Sequence, residues 1–284
     1  METSRKNRGM VLDLRLVFSK MKNTLNATVK MFMLSAVLLA CAKEKESGDS
    51  KKPDPLAIKY SVKSEWAHDT QSFIQGLVIH EGKLYESTGQ EKSWVGIVDI
   101  KTGRPDKKVV LPDVYFGEGI TILNNKVYHL TWESHVGFIY DLDTFEKVGE
   151  FTYEKEGWGI THDSTHLIMS EGTDRLLFLD TVSLKPVRTL KVTDENGPVQ
   201  KLNELEYVEG YIFANQWESS MIYKIDPGTG KVVGRLDLSA LTRDAKMRNP
   251  QADVLNGIAY HPTTRMLLVT GKYWPRIYVL QLHG

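Results

Sequence analysis

The sequence predicts an all-β fold, a five-bladed β-propeller, on three observations. From residue 58 onward, short runs of β-branched and aromatic residues alternate with Gly, Asn and Asp turns, and helical periodicity is nearly absent. Two sequence markers recur together at spacings of 39 to 52 residues, near the length of one four-stranded blade. The last repeat ends too early to contain a fourth strand, so an N-terminal strand is expected to complete it.

The first marker begins each repeat, where a polar residue or Trp precedes Gly or Leu and an aliphatic run. In a propeller the first strand of each blade lines the axis, so the five leading side chains should meet at one mouth of the central channel. Asn203 is an alternative to Glu204 as the leading residue of the fourth repeat. The five copies are Gln75-Gly76, Glu118-Gly119, Trp158-Gly159, Glu204-Leu205 and Asn256-Gly257.

The second marker is an Asp followed by a turn, 21 to 23 residues after the Gly or Leu of the first marker. That interval holds three short strands, and the Lys-Val or Pro-Val run after the turn supplies a fourth. The fifth repeat lacks its outer strand, which we expect near residues 58–64, so that pairing of the two chain ends closes the ring. The copies of this marker are Asp99, Asp141, Asp180 and Asp226.

Two longer intervals between markers leave insertions at residues 193–201 and 239–253. The second insertion predicts a short helix at 239–246 with Ser239 as its N-cap.

Residues 1–40 have the composition of an export signal. Seven basic residues precede an apolar run at 31–40 that is too short to span a bilayer. The run ends in Leu-Leu-Ala-Cys41, which resembles a bacterial lipobox and contains the only cysteine of the chain. We therefore expect lipidated Cys41 and a flexible tether at 41–57, followed by the propeller at 58–284. Met21 is an alternative start.

This organisation predicts an exported bacterial lipoprotein, anchored in the lipid bilayer through acylated Cys41 and facing the periplasm or the cell exterior. Beyond residue 40 the chain carries 29 basic and 34 acidic side chains, a net charge of −5. A mildly acidic body lacks the basic face that nucleic acids require, so no nucleic-acid partner is expected. The chain is expected to act as a monomer.

Aromatic residues cluster around the starts of the repeats, among them Phe73, Phe116, Trp132 and Trp217. Together with the amides and the carboxylate of the first marker, they predict an aromatic-walled pocket for a small molecule or the end of a peptide. For any single aromatic residue, packing between blades is the alternative.

The common catalytic signatures are missing from the sequence. Phosphate loops, His-Glu-x-x-His, paired-cysteine zinc patterns and Gly-x-Ser-x-Gly do not occur. His162-Asp163 is interpreted as a polar turn rather than as a base and its orienting partner. No metal and no cofactor are therefore expected.

At this level of detail the sequence resembles the plant and bacterial type of glutaminyl-peptide cyclotransferase, or glutamine cyclotransferase. The similarity extends in order from about residue 58 to the C-terminus, and the set of motifs is specific although no single motif is. The matching motifs begin at Phe73-Ile-Gln75-Gly, Leu84-Tyr-Glu86, Tyr115-Phe116-Gly-Glu118-Gly, Leu130-Thr-Trp132, Glu156-Gly-Trp158-Gly, Leu202-Asn203-Glu204, Asn215-Gln-Trp217, Leu255-Asn256-Gly and Thr270-Gly-Lys272-Tyr-Trp274.

The resemblance implies a five-bladed propeller that converts the N-terminal glutamine of peptides and proteins into pyroglutamate and releases ammonia. It implies that Glu118 is the catalytic proton shuttle and that no metal takes part. Three polar residues, Gln75, Asn203 and Lys272, would hold the glutamine. The pocket wall would consist of Phe73, Phe116, Trp132, Trp158 and Trp217.

Two other functions remain open from the residues alone. A metal-dependent propeller hydrolase such as a lactonase would bind Ca²⁺ through Glu118, Glu204, Asn203 and Asn256, although Trp158 at the third blade start is no ligand. A non-catalytic lipoprotein propeller would bind a peptide end in the same aromatic pocket.

Overall fold

The computed structural model describes residues 54–90 and 92–283, all of which lie in one compact unit, Pro53–Gly284. The described strands form five four-stranded antiparallel sheets, the blades, together with a small two-stranded hairpin. The expected export signal and Cys41 lie outside the described residues. Within those residues, no helix is both long and apolar enough to cross a membrane.

Blades one to four each run outward from the axis in chain order. Blade one contains β2 (Ile74–His80), β3 (Lys83–Thr88), β4 (Trp94–Val98) and β5 (Pro105–Val110). Blade two contains β6 (Gly117–Leu123), β7 (Lys126–Thr131), β8 (Val136–Asp141) and β9 (Lys147–Thr152). Blade three contains β10 (Ile160–His162), β11 (His166–Ser170), β12 (Arg175–Asp180) and β13 (Pro186–Lys191). Blade four contains β16 (Leu202–Val208), β17 (Tyr211–Gln216), β18 (Met221–Ile225) and β19 (Val232–Asp237).

Blade five takes strands from both parts of the chain. Its inner three strands are β20 (Leu255–His261), β21 (Met266–Gly271) and β22 (Arg276–His283). Its outer strand is β1 (Lys59–Ala67), which pairs antiparallel with β22 from Lys59 opposite His283 to Ala67 opposite Arg276. The N-terminal strand thus lies where the sequence placed it, three residues longer at its C-terminal end than expected.

The inner strands form a closed ring, because β2, β6, β10, β16 and β20 each contact the next one and β20 contacts β2. Glycines at the repeat starts make this close approach possible. A side chain at Gly119 would meet the carbonyl oxygen of Trp158 at 2.7 Å, and one at Gly159 would meet that of Asn203 at 2.2 Å. The Gly119 N–H instead donates to the Trp158 carbonyl at 2.8 Å. The recurring glycine of the first marker is therefore a packing requirement of the ring.

The aspartates of the second marker form four equivalent turns. In each, Oδ1 accepts hydrogen bonds from the backbone N–H groups two and three residues later, as Asp99 does from Lys101 at 2.8 Å and Thr102 at 2.7 Å. These bonds lower the pKa of each aspartate. The turns connect the third and fourth strands of blades one to four and explain why the marker is periodic.

The hydrophobic core is divided among the interfaces between neighbouring blades. Five clusters of buried side chains lie between consecutive blades, including the pair of blades five and one. The interface of blades four and five contains fully buried Trp274 and the first turns of the helix described next. Each blade is therefore held by two apolar faces, which keeps the ring in register.

Both insertions have structure. Residues 193–201 include the hairpin strands β14 (Thr193–Asp194) and β15 (Gly197–Pro198), and residues 239–253 include helix α1 (Ser239–Arg248). The prediction that Ser239 is the N-cap is wrong, because Leu238 holds that position without a side-chain cap. The carboxylate of Asp237 accepts the Ser239 N–H at 2.9 Å, so the acid two residues earlier supplies the acceptor.

The segment before β1 attaches to blade four. Ile58 donates its N–H to the Arg235 carbonyl at 2.7 Å, and the Arg235 N–H donates to the Leu56 carbonyl at 2.7 Å. The Arg235 guanidinium also pairs with Asp54 at 3.1 Å. The last residues of the segment expected to be a tether are thus paired with β19.

Candidate active site

One cavity of about 310 Å³ lies where the inner strands begin. Its floor is formed by four polar side chains from blades one, two, four and five, which expose only 3 to 5 % of their surface: Gln75, Glu118, Asn203 and Lys272. Its wall is formed by five partly exposed aromatic side chains: Phe73, Phe116, Trp132, Trp158 and Trp217. The structure therefore brings all nine pocket residues named from the sequence to one place.

A chain of hydrogen bonds crosses the floor. Asn256 Nδ2 donates to Gln75 Oε1 at 3.2 Å, and Gln75 Nε2 donates to Glu118 Oε1 at 2.7 Å. Asn256 also donates to the Ile74 carbonyl at 3.2 Å. The amide of Gln75 is therefore oriented from behind, with its N–H group directed at the carboxylate.

The environment of Glu118 favours its protonated form. Burial raises the pKa of Glu118 well above its usual value, and the charge of Glu156 adds to that rise. The Lys272 ammonium and the hydrogen bond from Gln75 act in the opposite direction. A carboxyl group with a raised pKa, beside a cation and an amide donor that favour its charged form, has the chemistry of a general acid and base.

Lys272 directly follows β21, and backbone hydrogen bonds of Lys272 and the next residue fix its position. Its N–H donates to the Val254 carbonyl at 3.0 Å, and the N–H of Tyr273, a residue with a left-handed φ of 61°, donates to the Ser72 carbonyl at 2.8 Å. The Nζ atom lies 4.2 Å from the centre of the Phe73 ring. Burial lowers the pKa of Lys272, while the carboxylates of Glu118 and Asp253 oppose that change.

The aromatic wall consists of two sets of rings. Phe116 contacts both Phe73, at 6.1 Å between ring centres, and Trp132, at 5.6 Å. On the other side Trp158 and Trp217 meet edge to face at 5.6 Å. Such packing provides a large apolar surface with little conformational freedom.

The blade starts converge on the axis, but only some of them face the cavity. The fourth blade presents Asn203 to the cavity, and Glu204 lies on the axis, where it accepts the N–H groups of Leu77 at 3.4 Å and Ile258 at 2.8 Å. Asn203 Oδ1 is buried and has no hydrogen-bond partner among the described residues. This atom is an acceptor available to a bound molecule.

A β-bulge decides which side chain faces the cavity. The ladder register shifts at the start of β2, β6, β16 and β20, between Ile74 and Gly76 in the first of these strands. Bulges direct side chains away from strict alternation and are common beside active sites.

His162 and Asp163 lie at a polar turn, as expected from the sequence. Asp163 Oδ1 accepts the N–H groups of Thr165 and His166 at 2.8 and 2.6 Å. Across residues 54–90 and 92–283, no group of three or more His, Cys, Asp or Glu side chains is arranged to hold a metal ion.

The sequence reasoning missed three residues of the site. Gln90 and Asp253 line the cavity from exposed positions at its mouth. Glu156 accepts hydrogen bonds from two of the wall tryptophans. Their signals lay beside the recognised motifs: Gln90 follows the Leu84-Tyr-Glu86 motif, Asp253 precedes the Leu255-Asn256-Gly motif, and Glu156 begins the Glu-Gly-Trp-Gly motif.

Comparisons with known proteins place the chain in one family. A sequence model described as glutamine cyclotransferase matches residues 32–282. A glutaminyl-peptide cyclotransferase of Arabidopsis thaliana is 38% identical over 247 residues, which cover 83% of this chain and 75% of the relative.

A solved structure has the same fold. The crystal structure of Myxococcus xanthus glutaminyl cyclase is similar with a TM-score of 0.76 and 35% sequence identity, over 81% of this chain and 98% of that protein. The all-β five-bladed propeller predicted from the repeats is thereby confirmed. The chain belongs to the glutamine cyclotransferase family.

Proposed function

We propose that this protein is a glutaminyl-peptide cyclotransferase that converts the N-terminal glutamine of peptides and proteins into pyroglutamate, with Glu118 as a proton shuttle and without a metal ion. Family membership and the activity named for both relatives support the reaction class. The observation that carries the mechanism is the buried Glu118 carboxyl, held by Gln75 on the floor of an aromatic cavity.

The reaction joins two groups of the same residue. The α-amine of the glutamine attacks the carbon of its own side-chain carboxamide, a C–N bond forms, and a tetrahedral intermediate results. Since both reacting groups are in one molecule, the site mainly has to select the rotamer that directs the amine at the carbonyl. The five aromatic rings of the wall restrict that rotamer and exclude water.

Proton transfer is the remaining task. The attacking amine has a pKa of about 7.7 to 8.0, so a useful fraction is neutral near pH 7. After attack, the nitrogen gives up a proton to the Glu118 carboxylate, and Glu118 delivers a proton to the carboxamide nitrogen. The C–N bond to that nitrogen then breaks and ammonia leaves. General acid–base catalysis of this kind is worth about 10²–10⁴-fold.

Two of the other floor residues, Asn203 and Lys272, bind the glutamine directly. The free acceptor of Asn203 suits an N–H group of the substrate, and the Lys272 ammonium suits the carbonyl oxygen on which negative charge develops. Gln75 keeps the Glu118 carboxyl in place. A metal ion has no role in this scheme, because the ammonium supplies the positive charge.

The test is cyclisation of a Gln-initiated peptide by the whole protein. We expect release of ammonia and a pyroglutamyl product, both measured over time. The matched control is the same peptide with an acetylated α-amine, which cannot attack and should be stable. Absence of turnover with the free peptide would overturn the proposal and leave a peptide-binding propeller. Loss of activity with a chelator, restored by added metal, would overturn its metal-free part.

We also propose that the protein is an exported lipoprotein, a monomer anchored through acylated Cys41, because the Leu-Leu-Ala-Cys motif ends an apolar run. Fatty-acid labelling in cells should mark the wild-type protein but not Cys41→Ala. Labelling of both proteins, or of neither, would contradict the anchor. Light scattering of the detergent-free Cys41→Ala protein should give the mass of one chain.

A further inference from the structure

A single carboxylate oxygen connects the two halves of the aromatic wall. Glu156 Oε2 accepts the indole N–H of Trp132 at 2.7 Å and that of Trp158 at 2.8 Å. Glu156 is half-buried and is not among the side chains that line the cavity, so its described contacts with the site are these two indole groups.

The two hydrogen bonds join indole rings that belong to different sets of the wall. On one side Trp132 packs against Phe116, and on the other Trp158 packs against Trp217. No direct ring contact between Trp132 and Trp158 is seen in the described residues. Glu156 therefore supplies the link that joins the two sets of rings into one continuous wall.

Each bond has the strength of a charge-assisted hydrogen bond. An indole has one donor and no acceptor, so each ring can satisfy its N–H only through a partner placed in its plane. A carboxylate acceptor makes such bonds shorter and stronger than a neutral acceptor does. With one oxygen shared, the two rings cannot move independently of each other.

We propose that Glu156 is a positioning residue of the cyclisation site, which fixes the two indole rings that confine the glutamine side chain and places a negative charge near Glu118. The proposal deepens the proposed function and rests on it.

The second effect is electrostatic. Several groups face Glu118: the Lys272 ammonium and the Gln75 amide lower its pKa, and the Glu156 carboxylate raises it. Burial raises the pKa of Tyr153, and the nearby Glu118 carboxylate adds to that rise. Burial lowers the pKa of Lys272, and the Asp253 carboxylate opposes that change. Loss of the Glu156 charge should thus lower the pKa of Glu118 and shift the acidic limb of kcat/KM to lower pH.

Two substitutions in the whole protein separate the two effects. Glu156→Gln keeps a side-chain oxygen that can accept an indole N–H but removes the charge. We expect its acidic limb to move to lower pH, with KM within about threefold of wild type. Glu156→Ala removes both effects, so KM for the Gln peptide should rise about tenfold, because the two indole rings lose their shared acceptor.

The matched control is Glu154→Gln, an exposed carboxylate two residues away, which should change neither the limb nor KM. Near-ultraviolet circular dichroism reads the packing of the indoles without turnover and should change for Glu156→Ala only. If wild-type protein fails to cyclise the peptide, the proposed function fails, and this spectrum still tests the link. An unchanged spectrum and KM in Glu156→Ala, or a limb that moves to higher pH in Glu156→Gln, would overturn the proposal. If Glu156→Ala does not fold, the Glu156→Gln pH profile decides.

Discussion

Glu118 and Glu204 are two buried glutamates on inner strands of the same ring, yet their partners differ. Their exposed fractions are 4% and 1%, and burial raises the pKa of both carboxyls well above the usual value. Glu204 accepts the backbone N–H groups of Leu77 and Ile258, which belong to the inner strands of blades one and five. Glu118 receives one side-chain N–H from Gln75 and otherwise faces the cavity.

The difference shows that burial and a raised pKa do not by themselves mark a catalytic acid. A carboxyl bonded to backbone amides of two other strands joins blades, because those amides cannot move unless the sheets themselves are disrupted. A carboxyl bonded to one adjustable side chain beside an open cavity can exchange protons with a bound molecule. Three experiments separate these roles, from the largest expected effect to the smallest, and a fourth tests a buried base in the same ring.

Glu118→Gln should reduce kcat by about 10²–10⁴-fold, since the amide cannot accept or return the proton. The melting temperature should be unchanged or higher, because a buried ionisable group is removed. Steady-state kinetics and thermal unfolding measure both quantities. A loss of kcat below about tenfold would remove Glu118 from the proton route.

Glu204→Ala should lower the free energy of unfolding by about 2 to 4 kcal/mol, because it leaves a cavity and two buried N–H groups without acceptors. The kcat of the folded fraction at low temperature should stay within about threefold of wild type. Urea unfolding and kinetics on the same sample provide the values. A large loss of kcat at unchanged stability would contradict the distinction drawn between Glu204 and Glu118.

Asn256→Ala tests the chain of hydrogen bonds behind Glu118. Without its donor, the Gln75 amide can rotate, and we expect kcat/KM to fall two- to tenfold, as for one neutral hydrogen bond of about 0.5 to 1.5 kcal/mol. The same substitution in a Gln75→Ala background should have little further effect. Additive losses in the double variant would show that Asn256 does not act through Gln75.

His129 lies on β7, the strand next to the one that carries Glu118. Burial lowers the pKa of His129, whereas it raises that of Glu118. The His129 side chain is fully buried, its ring nitrogens have no hydrogen-bond partner among the described residues, and burial lowers its pKa to about 3. The unfolded chain takes up a proton near pH 6.5 and the folded chain does not, so this group lowers stability as the pH falls.

The measurement compares wild type with His129→Leu. Between pH 7 and pH 6, wild type should lose about 0.7 kcal/mol more of unfolding free energy than the variant does. Urea unfolding at both pH values measures the difference. Equal losses in the two proteins would mean that His129 titrates normally in the folded state.

Much of the fold could be predicted because its signals are local. The Asp turns and the glycines of the repeat starts recur with the blade, and each has a local role in a turn or a strand contact. The cap of α1 was missed because Asp237 and Ser239 are both reasonable acceptors in sequence, and only the backbone path selects Asp237.

The candidate site was predictable to the same degree and for a related reason. Residues that begin the inner strands must meet at the axis, so the repeats collected Gln75, Glu118 and Asn203 of the floor. Lys272 was expected only from the family resemblance. The link made by Glu156 was not predictable, because two indoles that share one oxygen depend on the rotamers of three side chains. Gln90 and Asp253 lie on loops whose paths have no period.

By itself, the sequence determined the number of blades, the strand that each blade contributes to the axis, and the set of side chains available there, since these follow from a repeat. The repeat left both Asn203 and Glu204 open as the leading residue of the fourth blade, and only the tertiary structure showed that Asn203 faces the cavity while Glu204 joins the blades. The physical reason is the bulge between Leu202 and Leu205, which interrupts the alternation of side chains between the two faces of the strand. That alternation is what allows the facing of a side chain to be predicted from sequence.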